Sequence, residues 1–226
     1  MARLKILYFH VDAFAEGPFR GNPAGVCLLE SWLPDATLQA IAAENNLPET
    51  AFVVAREDEH YELRWFSPAV EVDLCGHATL AAAFVLFRKV VPGAPSVYFE
   101  SRSGQLPVTR EGKLLTLIFP SRPAAPCEAP EALVRGLGRI PKEVFKARDF
   151  LAVFESEADI KALRPDFDAL KTLDSLGIIA TAPGSDRDFV SRFFAPSIGI
   201  NEDPVTGSAH CTLVPYWAQR LGKKQL

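Results

Sequence analysis

The 226-residue chain has no Gly-x-x-x-x-Gly-Lys and no Gly-x-Gly-x-x-Gly, so neither a phosphate-cradling loop nor a dinucleotide fingerprint is written in it. Its four cysteines, Cys27, Cys75, Cys127 and Cys211, lie far apart without a Cys-x-x-Cys pair. In a chain of this size they make no disulfide framework, and a reducing compartment is expected. The four histidines (His10, His60, His77 and His210) are not at ligand spacings, so no metal centre is expected. The longest uninterrupted apolar run, near Leu80 to Phe87, is far too short to cross a bilayer. The first residues carry Arg3, Lys5, His10 and Asp12 where a signal peptide would have its apolar core. A net charge of −4 with interspersed signs leaves no electrostatic footprint for nucleic acid or a membrane. These absences leave a cytoplasmic globular protein, whose 48% hydrophobic content is enough for a sizeable core.

What the chain does contain is an echo. Arg64-Trp65-Phe66-Ser67-Pro68 leads to Asp73-Leu74-Cys75-Gly76-His77-Ala78-Thr79 and an apolar run. Arg192-Phe193-Phe194-Ala195-Pro196 leads to Asp203-Pro204-Val205-Thr206-Gly207-Ser208-Ala209-His210 and another. Each reads as a strand, a proline-marked loop, then a Gly-polar-Ala step into a helix. Glycine permits close approach of backbone to a ligand, and a helix start offers unpaired amides and a positive dipole end. Two such starts suit a small anion, with Gly76, Gly207 and Ser208 as candidate substrate-binding residues.

In chain order, Leu4 to Phe14 and Ala24 to Leu29 read as strands separated by turns at Glu16-Gly17-Pro18 and Gly21-Asn22-Pro23. A helix from Pro34 ends at Asn45-Asn46-Leu47-Pro48, and strands follow over Thr50 to Ala55 and Tyr61 to Phe66. Ala78 to Val91 has almost no polar face before Arg88, the pattern of a buried helix. Strands recur to Phe119, and proline-rich Pro120 to Pro130 is the expected linker. Beyond it come short helices near Glu131 to Leu137, Glu157 to Leu163 and Phe167 to Leu173. Strands are expected near Phe145 and over Phe150 to Phe154, Gly177 to Ala182 and Phe189 to Ala195, then a loop over Pro196 to Gly207 and a helix over Ser208 to Leu221. The pattern predicts an α+β architecture of two repeated lobes, residues 1–119 and 120–226.

Asp12-Ala13-Phe14, Gly21-Asn22-Pro23-Ala24, Asn46-Leu47-Pro48-Glu49-Thr50-Ala51-Phe52, Cys75-Gly76-His77-Ala78-Thr79 and Glu202 to His210 resemble the phenazine-biosynthesis isomerase-like (PhzF-like) family. The resemblance implies a diaminopimelate-epimerase-like fold. In it, two pseudo-symmetric lobes each wrap a twisted, mostly antiparallel sheet around a central helix, with the active site between the helix starts. It places the catalytic glutamate on Glu49 and further active-site positions on His77, Asp203 and Ser208, and it suggests a homodimer. Similar proteins continue past Leu221-Gly222 with closing strands. The second lobe is therefore expected to lack them and to expose some of Leu213, Val214, Tyr216 and Trp217.

Each of these residues also has a plainer reading. Glu49 alone would be a solvated loop charge, and His77 a helix-capping histidine; a helix start disfavours the imidazolium, so His77 there is expected neutral. Asp203 before Pro204 is a common turn, and Ser208 serves equally as an N-cap. Cys75 stands where related epimerases carry a thiol base, but its counterpart in the second loop is Thr206, so Cys75 reads as a small packed residue. The expected activity is isomerisation without a cofactor: Glu49, His77 and Asp203 move a proton on a small carboxylate-bearing metabolite. The alternatives are a racemase, epimerase or dehydratase using Cys75, and a non-catalytic binding or scaffold protein.

Overall fold

Period-two stretches pair into two sheets, one in each of two units, Met1–Pro120 and Ser121–Leu226. The computed structural model describes residues 5–17, 20–203 and 206–226. Leu4 at the head of the expected first strand, Pro18 in a turn, and Pro204-Val205 in the second loop lie outside the described residues.

The first unit runs β1 (Leu7–Gly17), β2 (Arg20–Leu29), α1 (Asp35–Asn45), β3 (Glu49–Ala55), β4 (His60–Phe66), β5 (Glu71–Val72), α2 (Gly76–Lys89), β6 (Ser96–Ser101), β7 (Gly104–Glu111) and β8 (Leu114–Leu117). The sheet order is β1-β2-β3-β4-β6-β7-β8, with β5 added to β4. All pairs are antiparallel except β2–β3 and β4–β6. The chain crosses over between those parallel partners through α1 and α2. Alternation along β3 sends Phe52 into a cluster with Leu38 and Ala42 of α1. The odd-numbered Glu49, Ala51 and Val53 therefore face the other side, where α2 lies against β1, β2, β3 and β8. The all-round apolar pattern of α2 is explained by that wrapping: Ala78, Ala81, Ala82, Ala83, Val85, Leu86 and Phe87 are buried. Arg88 and Lys89 in its last turn complement the dipole.

The second unit runs β9 (Ala125–Pro126), α3 (Glu131–Leu137), β10 (Glu143–Lys146), β11 (Phe150–Val153), α4 (Glu157–Ala162), α5 (Phe167–Lys171), β12 (Ile178–Pro183), β13 (Phe189–Ala195), β14 (Ile200–Asp203) and α6 (His210–Leu221). Its sheet order is β14-β13-β12-β11-β10-β9, and among the described residues only β11–β12 is parallel. Phe150, Ala152, Ile178, Ala180 and Phe194 pack one face against α3, α4 and α5. Leu151, Val153, Ile179 and Phe193 pack the other against Leu213 and Trp217 of α6. Strands buried on both faces read as unbroken apolar runs, and β11 and β12 are of that kind. The proline-rich stretch expected to be only a linker contributes β9, and the expected loop after Pro196 contains β14.

The two units repeat one plan. An antiparallel pair leads through a helical crossover to a parallel neighbour, then a hairpin, a short edge strand and the central helix. The two Arg-x-Phe sequences occupy the same place in it. Arg64 clamps Glu71 through Nε (2.7 Å) and Nη2 (2.9 Å) and lies 5.1 Å over the Phe66 ring. Arg192 clamps Glu202 through Nε (2.7 Å) and Nη2 (2.8 Å) and lies 5.0 Å over Phe194. Each guanidinium also ties its strand to the crossover helix, Arg64 through Asp35 and Arg192 through the carbonyls of Ile160 and Leu163. The arginines of the echo are thus structural pegs.

Of the four residues considered for exposure in the second unit, Leu213 and Trp217 are buried by its own sheet and Val214 is exposed. No helix of the described residues is long and apolar enough to cross a membrane.

The clamps predict acid sensitivity. Hydrogen bonds from Arg192, Arg56 and Arg220 hold the carboxyls of Glu202, Glu62 and Glu143 below their ordinary range. Depressed carboxyls contribute stability above their unfolded pKa of about 4.3, and it is lost as pH falls through the lower folded values. Urea midpoints are expected to hold from pH 7 to about 5 and to drop below about 4. Arg192→Met should shallow that acid limb. A limb equally steep in the variant would remove Glu202 from the account.

Candidate active site

The first cluster is built by a helix end. Asn46 closes α1 in the left-handed conformation (φ 48°), its N–H bonded back to Ala42 O. Asn45 Nδ2 donates to Thr50 Oγ1 at 3.1 Å, drawing the turn tight across Pro48. Glu49 is therefore the first residue of β3, on the face that α2 covers. On the other side of the cluster, Ser103 Oγ donates to Asp73 O (2.7 Å), and Thr79 donates to Cys75 O through both N (3.2 Å) and Oγ1 (2.5 Å). These bonds fix the loop that delivers Cys75 and His77.

His77 does not cap α2: the N-cap position is Cys75, without a side-chain cap bond. Its imidazole lies between two groups instead. Nε2 is 3.3 Å from Glu49 Oε2, and Nδ1 is 3.5 Å from Cys75 Sγ. The side chains of His77 and Glu49 are only 9% and 15% exposed, so the carboxylate is held out of bulk water. A carboxylate, an imidazole and a thiol in line can accept, pass and donate protons. The packing reading of Cys75 is thus incomplete: it is buried, and it also touches His77. Sequence spacing hid this cluster, because β3 and the start of α2 meet only in space.

Gly76 serves packing in this structure. A Cβ built there would come within 2.5 Å of Phe119 Cζ, so the Phe119 ring lies over the glycine. Gly76→Ala is expected to destabilise by about 1–3 kcal/mol through overpacking, although alanine is the better helix former. Phe119→Leu in the same chain should recover most of the loss. Chemical denaturation of both variants measures it, and a stabilised Gly76→Ala would show that the ring gives way freely.

In the second unit, Asp203 ends β14, and its Oδ2 accepts from Thr206 Oγ1 at 2.7 Å. Gly207 and Ser208 form a 3-10 turn before α6. Ser208 makes no cap bond to α6; its Oγ accepts from Arg148 Nη2 at 3.4 Å. Arg148 is itself held by the buried carboxylate of Asp149, with Nη2 to Oδ2 at 2.7 Å and Nε to Oδ1 at 3.2 Å. Arg148 and Asp149 are the residues that sequence reading missed. In Lys146-Ala147-Arg148-Asp149 they look like the charges of a solvated hairpin turn, and no periodicity marks the carboxylate as buried.

Comparison with known proteins identifies the family and the fold. Residues 11–226 match the family model described as phenazine biosynthesis-like protein. An uncharacterized isomerase of Pseudomonas aeruginosa is 55% identical over 223 residues, covering 99% of this chain and 86% of that protein. A phenazine biosynthesis protein of the PhzF family from Enterococcus faecalis superposes with a TM-score of 0.84 at 48% identity, covering 97% of this chain and 85% of that one. A predicted epimerase of Pseudomonas aeruginosa, at 19% identity and covering 96% and 83%, shares the fold with a TM-score of 0.68.

Proposed function

The chain belongs to the phenazine biosynthesis-like protein family, and on that premise we propose that it is a cofactor-independent isomerase of a small carboxylate-bearing metabolite. The observation that carries this reading is the Glu49 carboxylate, largely buried and 3.3 Å from His77 Nε2. Glu49 takes a proton from a carbon acidified by the substrate's unsaturation, and the C–H electron pair enters a dienolate. The protonated Glu49 returns the proton to another carbon, so the double bond moves and atoms balance. His77 orients the carboxylate and exchanges protons with the reacting system. On this reading the helix-start amides at Gly76 stabilise the developing negative charge in the first unit, and Gly207 and Ser208 are the candidate carboxylate holders of the second. Asp203, positioned by Thr206, polarises the substrate. The same reading makes the protein a cytoplasmic homodimer, which sedimentation equilibrium tests.

The deciding experiment is solvent-deuterium incorporation during turnover of unsaturated small acids, with candidates drawn from mass spectrometry of acids carried by the native protein. Incorporation at carbon supports proton transfer. Tight binding of acids with neither isomerised product nor incorporation supports the binding-protein reading.

A second reading has one observation behind it, the Cys75 Sγ to His77 Nδ1 contact of 3.5 Å. It makes Cys75 the base of an epimerase or dehydratase. Its counterpart Thr206 spends its hydroxyl on Asp203, and a hydroxyl is no substitute for a thiolate. Exchange that survives Glu49→Gln and dies in Cys75→Ala would establish it.

A further inference from the structure

Glu49, Cys75 and His77 offer one oxygen, one sulfur and one nitrogen, and the three donor atoms lie within 4.8 Å of one another. We propose that they form a site for a soft divalent cation of the zinc class, and that its occupation blocks turnover. The donor chemistry selects the metal. Thiolate and imidazole suit zinc and cobalt, whereas calcium and magnesium demand oxygen donors. Zn–S near 2.3 Å and Zn–N near 2.0–2.1 Å at tetrahedral angles set donors roughly 3.3–3.6 Å apart. The observed neighbouring contacts, 3.5 Å for Cys75–His77 and 3.3 Å for His77–Glu49, already have that scale. They use opposite ring nitrogens, and a cation takes only one, so side-chain movements on the order of 1 Å complete the cage. The backbone is ready for it: Thr79 pins Cys75 O twice, and His77 rides on the first turn of a buried helix. Three protein donors leave a position for water, as in open zinc sites.

Binding does not depend on the functional reading; its effect on turnover does. A cation on Glu49 takes the lone pair that would accept the proton, and one on His77 freezes the imidazole. The ligands must lose protons to bind, so affinity falls as pH is lowered.

The test uses cobalt(II), whose bond to a thiolate gives a charge-transfer absorption, on the reduced full chain carrying Cys127→Ala to remove the exposed cysteine. The other two thiols are poor competitors, because burial pushes Cys27 up to about 12 and raises Cys211 as well. One equivalent of cobalt should produce the thiolate band, zinc should displace it, and magnesium should not. Adding Cys75→Ala should abolish the band and weaken zinc binding by more than about 100-fold, beyond the loss of an outer-shell partner. Absence of the band at saturating cobalt, or its survival in Cys75→Ala, overturns the site. Zinc bound at Cys75 with undiminished deuterium exchange would uphold the site and overturn its blocking role. In that case the fault lies with Glu49 as base, which Glu49→Gln examines independently.

Discussion

Glu49→Gln is expected to lower solvent-deuterium exchange into substrate by about 10² to 10⁴, roughly 3 to 5 kcal/mol of barrier. The amide keeps the size of the carboxylate and its place at the head of β3, beside Ala24 of β2. It still offers an oxygen or a nitrogen to His77 Nε2, so the turn built by Asn45, Asn46 and Thr50 should stand and the melting temperature should move little. What it cannot do is accept a proton from carbon. Affinity for a substrate carboxylate should change by less than about threefold, because the proposed holders of that group are Gly207 and Ser208, and a uniform binding loss is a different kinetic signature. The wild type and variant are compared in the same deuterated buffer, with mass spectrometry of recovered substrate as the readout. Exchange at the wild-type rate in the variant would move the base elsewhere, with Asp203 the next residue to replace.

How much of this was legible in the sequence depends on distance along the chain. The helix α2 was readable because its burial is a local pattern, Ala78 to Phe87 having no polar stripe. The lobe repeat was readable because Arg64 and Arg192 each precede a phenylalanine at the same spacing from a proline loop, and the structure gives both the same clamp and the same ring. The short strands β5 and β14 were missed, since two to four residues carry no period, and what makes them strands is the partner: Glu71 and Glu202 are held by arginines across the hairpin. Glu49 was singled out by resemblance, and nothing in its neighbourhood of charge or period marks it. Its contact with His77 follows from which face of β3 the odd residues take, and that is decided by Phe52 packing under α1. Arg148 and Asp149 were invisible for the opposite reason. Adjacent charges of opposite sign are common on solvated turns, and only the sheet around them shows that Asp149 is 2% exposed.

The end of the second unit carries the largest stability effect. Trp217→Ala is expected to cost about 3–5 kcal/mol, a large fraction of a typical 5–15 kcal/mol. The indole is 2% exposed and stacks parallel to Phe189 at 5.9 Å, with Tyr216 edge-on at 5.2 Å. Its Nε1 donates to Thr181 Oγ1 at 3.0 Å, and that hydroxyl in turn donates to Val190 O at 2.7 Å, so the ring closes a chain linking α6, β12 and β13. Deletion leaves a cavity between Leu151, Ile179 and Leu213 that a rigid two-face sheet cannot collapse to fill. Trp217→Phe separates the terms. It retains most of the ring volume and loses the indole donor, while Thr181 keeps its bond to Val190, so the cost should be about 1–2 kcal/mol. Urea denaturation followed by far-ultraviolet circular dichroism gives both numbers without relying on the fluorescence of the residue removed. A loss under about 1 kcal/mol for Trp217→Ala would mean that α6 does not close this core, and that Leu213 and Trp217 are buried less firmly than the packing of the second sheet requires.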